Sequence, residues 1–359
     1  MRALQKAPVL NCDFTNLLLR ENVDGDEFMK IKVSVLVPIC NVEKFLDKCL
    51  QSITSQTLKE IEIICINDGS KDKSLDIIKK YAMVDDRIVI VDKENTGYGD
   101  SMNLGLRIAR GEYVGIVESD DFISQDMFED LYNLAVLYKA DIVKSNFYMY
   151  WEKPEKIKVY DNLKIKGLES NIDLCRERLF VGAPAIWSAI YRNVWLKKEN
   201  IDFLPTPGAS YQDTSFKFKT TAIAEKIVLS PKSYLYYRQD NVNSSVKSAT
   251  KEKVLSLHKE YEEIERFINK HNLFRFNKFY CSAYFSGCMW NYARINDDDF
   301  KGEYLKLIHR IFEKEELEIC RQLLPNSLKY GGYYAFKNNN KLLLDLVILL
   351  QKIKSRLAN

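Results

Sequence analysis

The chain has 359 residues, 46% hydrophobic, 12% aromatic and 29% charged, proportions that exclude a mostly disordered, collagen-like or multi-span membrane protein. Its 53 lysines and arginines against 50 acids are too nearly balanced for a dedicated nucleic-acid binder. Eight cysteines without a CxxC pair predict reduced thiols in a cytoplasmic protein, and three histidines, His258, His271 and His309, give a zinc site or a histidine triad almost nothing to draw on.

Residues 1–30 are polar with one apolar knot at Leu17, Leu18 and Leu19, and are predicted as an extension. They lack the basic start and sustained apolar core of a signal peptide, and no run is long and apolar enough to predict a spanning helix. From Lys32 the run KVSVLVP reads as a strand, followed by a helix with Phe45, Leu46, Cys49, Leu50 and Ile53 on one face. IEIICIN (61–67), a helix with Leu75, Ile78 and Tyr81 inward, RIVIVDK (87–93), a helix over about 100–110 and EYVGIVES (112–119) come next. Short apolar strands alternating with helices predict an α/β fold, doubly wound around a mainly parallel sheet covered on both faces. The lysine-rich stretch 152–167 predicts an exposed connection. Mixed signals then run to Arg238 through the loop LPTPGAS (204–210), and from about 250 the pattern is helical. The expected organisation is an extension (1–30), an α/β domain (31–240) and a helical C-terminal domain (241–359).

Ligands of open α/β sheets bind beyond the carboxyl ends of the strands. Here those ends carry Pro38 to Asn41, NDGS (67–70), ENTGYG (94–99) and ESDD (118–121), which points to one composite site. Glu118 and Asp120, two apart on an extended segment, are expected to project to the same side with Asp121 adjacent. Oxygen donors without histidine or cysteine suit a hard cation, Mg²⁺ or Mn²⁺, although acidic pairs after an apolar run also serve as turn or cap residues. The GxG in ENTGYG lacks its third glycine and follows the third strand, so it is not a dinucleotide fingerprint, and neither a P-loop nor a G-x-S-x-G elbow occurs.

The run VSVLVPICNVEKFLDKCLQSITSQTLKEIEIICINDGSKDKSLDIIKKYA, continued through NTGYGDSMNLGLRIARGEYVGIVESDD, closely resembles the family 2 glycosyltransferases of bacterial capsule and surface-polysaccharide synthesis. The resemblance spans about 33–240. It implies a GT-A fold, an inverting mechanism, a nucleotide-diphosphate sugar donor, with UDP expected, and a divalent metal. By position it implies that Pro38 and Asn41 line the nucleotide pocket and that Asp68 bonds the uracil edge. Asn95, Gly97 and Asn103 pack around nucleotide and donor sugar, Glu118, Ser119 and Asp120 occupy the DxD element, and Asp120 ligates the metal. Glu118 departs from the usual aspartate.

GASYQDTSFKF (208–218) resembles the family's later [EQ]D element, which makes Asp213 the catalytic base; the alternative is an N-cap for a helix starting at Thr214. YLYYRQDNVNSS (234–245) matches a segment that closes over the donor phosphates and brings Tyr237 and Arg238 there. AIWSAIYR (185–192) resembles the acceptor-side element W-N-K-L-Y, with Ser188 and Ala189 in place of its polar pair and Trp187 either stacked on a sugar or buried. The expected acceptor is a saccharide, lipid-linked or a growing polysaccharide. The last helix (340–357) is apolar around most of its surface, and is expected to dock on the protein's own core, form a homodimer or attach peripherally to the membrane. Two rival readings are a sugar-nucleotide pyrophosphorylase and a catalytically impaired carbohydrate-binding or scaffolding subunit.

Overall fold

A computed structural model describes residues 9–10, 30–242, 250–314 and 327–357. The chain divides into two compact units, Met1–Val242 and Asn243–Asn359. The first holds one ten-stranded mixed sheet. Its strands are β1 (Val9–Leu10), β2 (Val33–Ile39), β3 (Ile61–Asp68), β4 (Ile88–Lys93), β5 (Tyr113–Ile116), β6 (Phe122–Ile123), β7 (Ile142–Glu152), β8 (Glu155–Tyr160), β9 (Ala189–Arg192) and β10 (Ile227–Arg238). The order is β1-β4-β3-β2-β5-β9-β7-β10-β6, with β8 paired to β7. The half from β4 to β5 is parallel, as the alternating pattern predicts, and β9 enters antiparallel between β5 and β7.

Why these segments form strands is visible in their burial. Every residue of β2 and β3 is buried, the state of a strand covered on both faces. The helices α1 (Glu43–Thr54), α2 (Ser74–Ala82), α3 (Tyr98–Ile108) and α4 (Met127–Tyr138) supply the cover, and α1 buries Leu46, Cys49, Leu50 and Ile53 as their spacing predicts. Two buried polar residues within these strands are partnered. Glu62 on β3 accepts from Ser34 Oγ (2.5 Å) and from Nε and the terminal nitrogen of Arg110 (2.9 and 2.7 Å), which ties the start of β2 to the end of α3.

Two expectations change. The stretch 152–167 is exposed but is not a mere connection: its lysine-rich segment pairs antiparallel with β7 as β8, all six residues exposed. Within the N-terminal extension, Val9–Leu10 pairs in parallel with Ile90 and Val91 at the sheet edge; the apolar knot at 17–19 lies outside the described residues. The unit is completed by α5 (Ile172–Val181), α6 (Asn193–Lys198) and α7 (Gln212–Ile223).

The second unit contains α8 (Lys251–His271), α9 (Asn277–Tyr292), α10 (Asp298–Lys314), α11 (Ser327–Lys337) and α12 (Lys341–Leu357). Thr250 caps α8 by accepting from Lys253 N. Aromatic residues fill its core, including Tyr261 stacked on Tyr284 at 4.2 Å and Phe285 edge-on to Phe336 at 5.5 Å. His258 is buried here with Nδ1 2.6 Å from the Tyr284 hydroxyl, and burial pushes it down to about 4.

Candidate active site

The carboxyl ends of β2, β3, β4 and β5 lie side by side, and each hands over to a polar loop. Pro38 is buried on β2 beyond the last β2–β5 pair, Leu36 with Ile116, so its missing N–H costs nothing on that side. Asn41 takes a left-handed φ of 54°. Its N donates to Ser70 Oγ (3.1 Å) and its Oδ1 accepts from Lys71 N (2.8 Å), closing the β2 and β3 loops against each other.

Asp68 ends β3 with its carboxylate already engaged. Oδ1 accepts from Lys93 Nζ and from Thr96 N (2.9 Å), and Oδ2 accepts from Gly97 N (3.0 Å). The group expected on a uracil edge therefore also shapes the 94–97 loop. Asn95 joins this arrangement, donating to Asp68 O at 2.9 Å. Gly97 has φ 100°, and a Cβ there would sit 3.0 Å from both Thr206 O and Gly208 N; only glycine combines that backbone with so close an approach. Tyr98 N donates to Gly208 O (2.9 Å), so the 94–97 loop and the 204–210 loop form one wall.

Asn103 stands apart from the expected nucleotide contacts. Its Nδ2 donates to Phe203 O (2.8 Å) and its Oδ1 accepts from Phe203 N (2.7 Å), so the amide fastens the segment leading into the 204–210 loop. Gln212 completes the fastening: Nε2 donates to Thr206 Oγ1 (2.9 Å) and Gly208 O (3.3 Å), and Oε1 accepts from Ser210 N (2.6 Å).

The ESDD element corrects a geometric expectation. β5 ends at Ile116, and 118–121 form a turn in which Asp121 N donates to Glu118 O (3.0 Å). Glu118 and Asp120 are thus not projected together by an extended strand. Glu118 accepts from Tyr98 OH (2.7 Å), whereas Asp120 Oδ2 accepts from Asn241 Nδ2 (2.7 Å). Ser119 is buried between them, and Asp121, fully buried, accepts from Arg238 N (2.8 Å) and leaves Oδ2 without a partner. Burial, reinforced by the charges of Asp120 and Asp213, pushes Glu118 up to about 8 despite the Tyr98 hydrogen bond. Burial and the neighbouring Asp120 likewise raise Asp121.

Arg238 is also placed differently from expectation. Its side chain is buried, with Nε on Asp120 O (2.9 Å), a terminal nitrogen on Glu152 Oε2 (2.9 Å) and the guanidinium over the Phe45 ring. These contacts brace the ESDD turn. Tyr237 stacks on the buried Trp187 at 5.1 Å, and Phe147 meets Trp187 edge-on at 4.6 Å, so of the two readings of Trp187 the buried one holds.

Asp213 lies in the first turn of α7, which begins at Gln212 after a left-handed Tyr211 (φ 67°). The cap position is Tyr211 and has no side-chain cap bond, so the N-cap reading of Asp213 fails. Burial pushes Asp213 up to about 6, against the pull of Lys217 and Thr214. Its charge reaches Tyr98, Glu118, Tyr191 and Tyr237, which places it close to residues of α3, β9, β10 and the ESDD turn.

Three further residues of this region escape sequence reasoning. Lys217, one turn after Asp213, donates to Gly182 O (2.9 Å). Lys144 on β7 is fully buried, donates to Ala185 O and Ser188 Oγ, and is pushed down to about 7 by burial and by Lys217. It is the cross-strand neighbour of Ala189, so a cation from β7 reaches the place where the acceptor-side element has lost its polar pair. Its only sequence signal is one lysine in the apolar run IVKSNF. Asn241 carries no signal of its own beyond following Arg238.

Among the described residues, no group of three or more histidine, cysteine, aspartate or glutamate side chains is arranged to hold a metal ion by itself. The donor chemistry nevertheless fits a hard cation held mainly by its substrate. Carboxylate oxygens at 118, 120 and 121 share one turn, burial and then mutual repulsion raise Glu118 and Asp121, and one Asp121 oxygen is orphaned. A magnesium- or manganese-type ion takes few protein oxygens and completes its shell with water and phosphate.

A parallel half-sheet, an acidic turn at its central strand end and a mixed second half define the GT-A class of glycosyl-transfer fold. The glycosyl transferase family 2 profile matches residues 34–202. The uncharacterized glycosyltransferase EpsJ of Bacillus subtilis is 30% identical over 67% of this chain and 71% of its own length. Glycosyltransferase GlyA of Streptococcus pneumoniae is 35% identical over 58% of this chain, but the match spans only 30% of GlyA. This chain belongs to glycosyl transferase family 2, which sets the pyrophosphorylase reading aside. In structure it superposes on residues 1–349 of Staphylococcus aureus TarS, solved with UDP-GlcNAc, with a TM-score of 0.70 at 18% identity, covering 90% of this chain and 92% of that one.

Proposed function

We propose that this chain transfers a sugar, with inversion, from a UDP-sugar to a hydroxyl of a surface-polysaccharide acceptor, with Asp213 as base. The observation that carries the reading is the convergence of Asp213, the Glu118–Asp121 turn and the Asp68–Gly97 loop, linked by the Tyr98 hydroxyl on Glu118 and by Gly97 N on Asp68. The UDP-GlcNAc complex of TarS supports the choice of donor.

In the reaction, the acceptor oxygen forms its bond to the anomeric carbon as the carbon–oxygen bond to the diphosphate breaks, and the hydroxyl proton passes to the Asp213 carboxylate. A carboxyl titrating at about 6 is largely ionised at neutral pH yet basic enough to accept that proton. Asp120 is the residue that would hold a divalent cation, with Glu118 beside it, and such an ion supplies charge stabilisation for the departing diphosphate. Asp68, Asn41 and Asn95 shape the nucleotide end. The single displacement needs no second carboxylate of the glycosidase type.

The test is a thermal-shift series with UDP-, GDP- and CMP-sugars, each with and without Mn²⁺, because a bound ligand raises the melting temperature according to its affinity. The expected result is a shift with UDP conjugates that depends on Mn²⁺. A preference for GDP or CMP, or a shift indifferent to metal, would overturn the donor and metal assignments.

A further inference from the structure

The last helix buries one face and leaves another bare. Leu344, Val347 and Ile348 of α12 are buried. Leu342, Leu346, Leu349, Leu350 and Ile353 are between 42% and 83% exposed, and their spacing of four, three, one and three residues draws a single stripe along three turns. A stripe of five large aliphatic side chains is more than the scatter of single apolar residues normal on a surface.

The charges around it are one-sided. The described residues 327–357 carry six lysines and arginines against one acid, Asp345, whereas residues 250–314 carry twelve against ten; of the six, Lys341 pairs with Asp298 at 3.3 Å. Asp345 itself is neutralised inside the unit: its Oδ1 lies 3.1 Å from Lys301 Nζ and accepts from Tyr292 OH at 3.1 Å. An amphipathic helix with an exposed aliphatic face and a basic surround has the chemistry of an element lying in an anionic lipid interface. At 17 residues, α12 does not qualify as a span, and no described helix is long and apolar enough to cross a membrane.

We infer that α12 docks this chain on an anionic lipid surface, its aliphatic stripe entering the boundary between headgroups and acyl chains. A second copy is the weaker fit, since paired helices of the same positive sign repel and lack the complementary flanking charges that hold coiled coils together. The inference is independent of the transfer chemistry, because α12 carries none of the cleft residues.

The experiment is flotation of the full chain with vesicles of phosphatidylcholine alone or with about 40% phosphatidylglycerol, at low salt and at roughly 0.5 M NaCl, where surface attraction is screened. Two double variants accompany it, Leu346→Glu with Leu349→Glu and Lys352→Glu with Lys354→Glu. The wild-type chain should float with the anionic vesicles and at least about tenfold less with neutral ones or at high salt. Each double variant should lose at least about tenfold in binding while keeping its melting temperature and donor hydrolysis. Failure to float, or binding unchanged in the charge-reversed variant, overturns the inference. So does a wild-type dimer, seen by sedimentation equilibrium, that the leucine variant dissolves, which would make the occupant a second copy. If the leucine variant does not fold, the charge-reversed variant decides alone.

Discussion

The two units of this chain differ in what burial does to their titrating groups. In the helical unit it pushes His258 down, neutral against Tyr284, while the half-exposed Asp345 meets Lys301. In the α/β unit, burial instead raises the carboxyls of Glu118, Asp121 and Asp213. Carboxylates crowded without enough cations cost stability. Such raised carboxylates at the sheet's carboxyl end fit the proposed transfer site, where a charged ligand would compensate them. The contrast yields predictions that differ between the units.

The largest effect is expected at Asp213. Asp213→Asn keeps the shape and removes the proton acceptor, so transfer to a true acceptor should fall by roughly 10² to 10⁴, with donor affinity scarcely changed. Near-normal transfer by the folded variant would move the base elsewhere. The same residue sets a pH limb: transfer in the wild-type chain should decline as pH falls through about 6, where Asp213 becomes protonated. A rate flat down to pH 5 would contradict it.

Next comes Asp120. Asp120→Ala should weaken Mn²⁺-dependent UDP binding by at least about tenfold, or 1.4 kcal/mol, while metal-free binding stays; calorimetry with and without Mn²⁺ reads the difference. Undiminished metal-dependent affinity would remove Asp120 from the metal site.

The smallest functional effect belongs to the helical unit, where the penalty should appear in stability alone. Tyr284→Phe leaves His258 Nδ1 without its buried partner and should cost about 1 to 3 kcal/mol in denaturant unfolding, with donor hydrolysis per folded molecule unchanged. Because the folded His258 titrates at about 4, below its ordinary 6.5, it contributes stability fully above 6.5 and loses it as pH falls towards 4. Lost hydrolysis in folded Tyr284→Phe would erase the distinction between the units.

How much of this was legible follows from what a sequence pattern can carry. Apolar runs such as VSVLVPI and IEIICIND announce buried parallel strands because nothing else buries every residue of a short segment. β8 was missed because a strand with all six residues exposed has no apolar face to display. Several motif positions also meet in the fold: Asp68 accepts from Gly97 N, Glu118 accepts from Tyr98 OH, and the charge of Asp213 reaches Glu118. The direction in which each side chain turns was not legible. Arg238 and Asn103 sit where a motif matches, yet their hydrogen bonds are made to Asp120, Glu152 and the Phe203 backbone. Lys144 reaches Ser188 only because β7 and β9 are neighbours in the sheet, a fact that local spacing cannot contain.

The amide of Gln212 has a consequence for how this chain can change by mutation. A step from glutamine to glutamate requires one base change and conserves volume, and the matching motif accepts either residue. Here, however, Nε2 donates to Thr206 Oγ1 and to the carbonyl oxygen of Gly208. A carboxylate in its place would turn a lone pair toward the Gly208 carbonyl and set a further negative charge beside Asp213. The substitution that a comparison of letters would rank as the mildest is therefore closed to this chain unless the 204–210 loop changes with it.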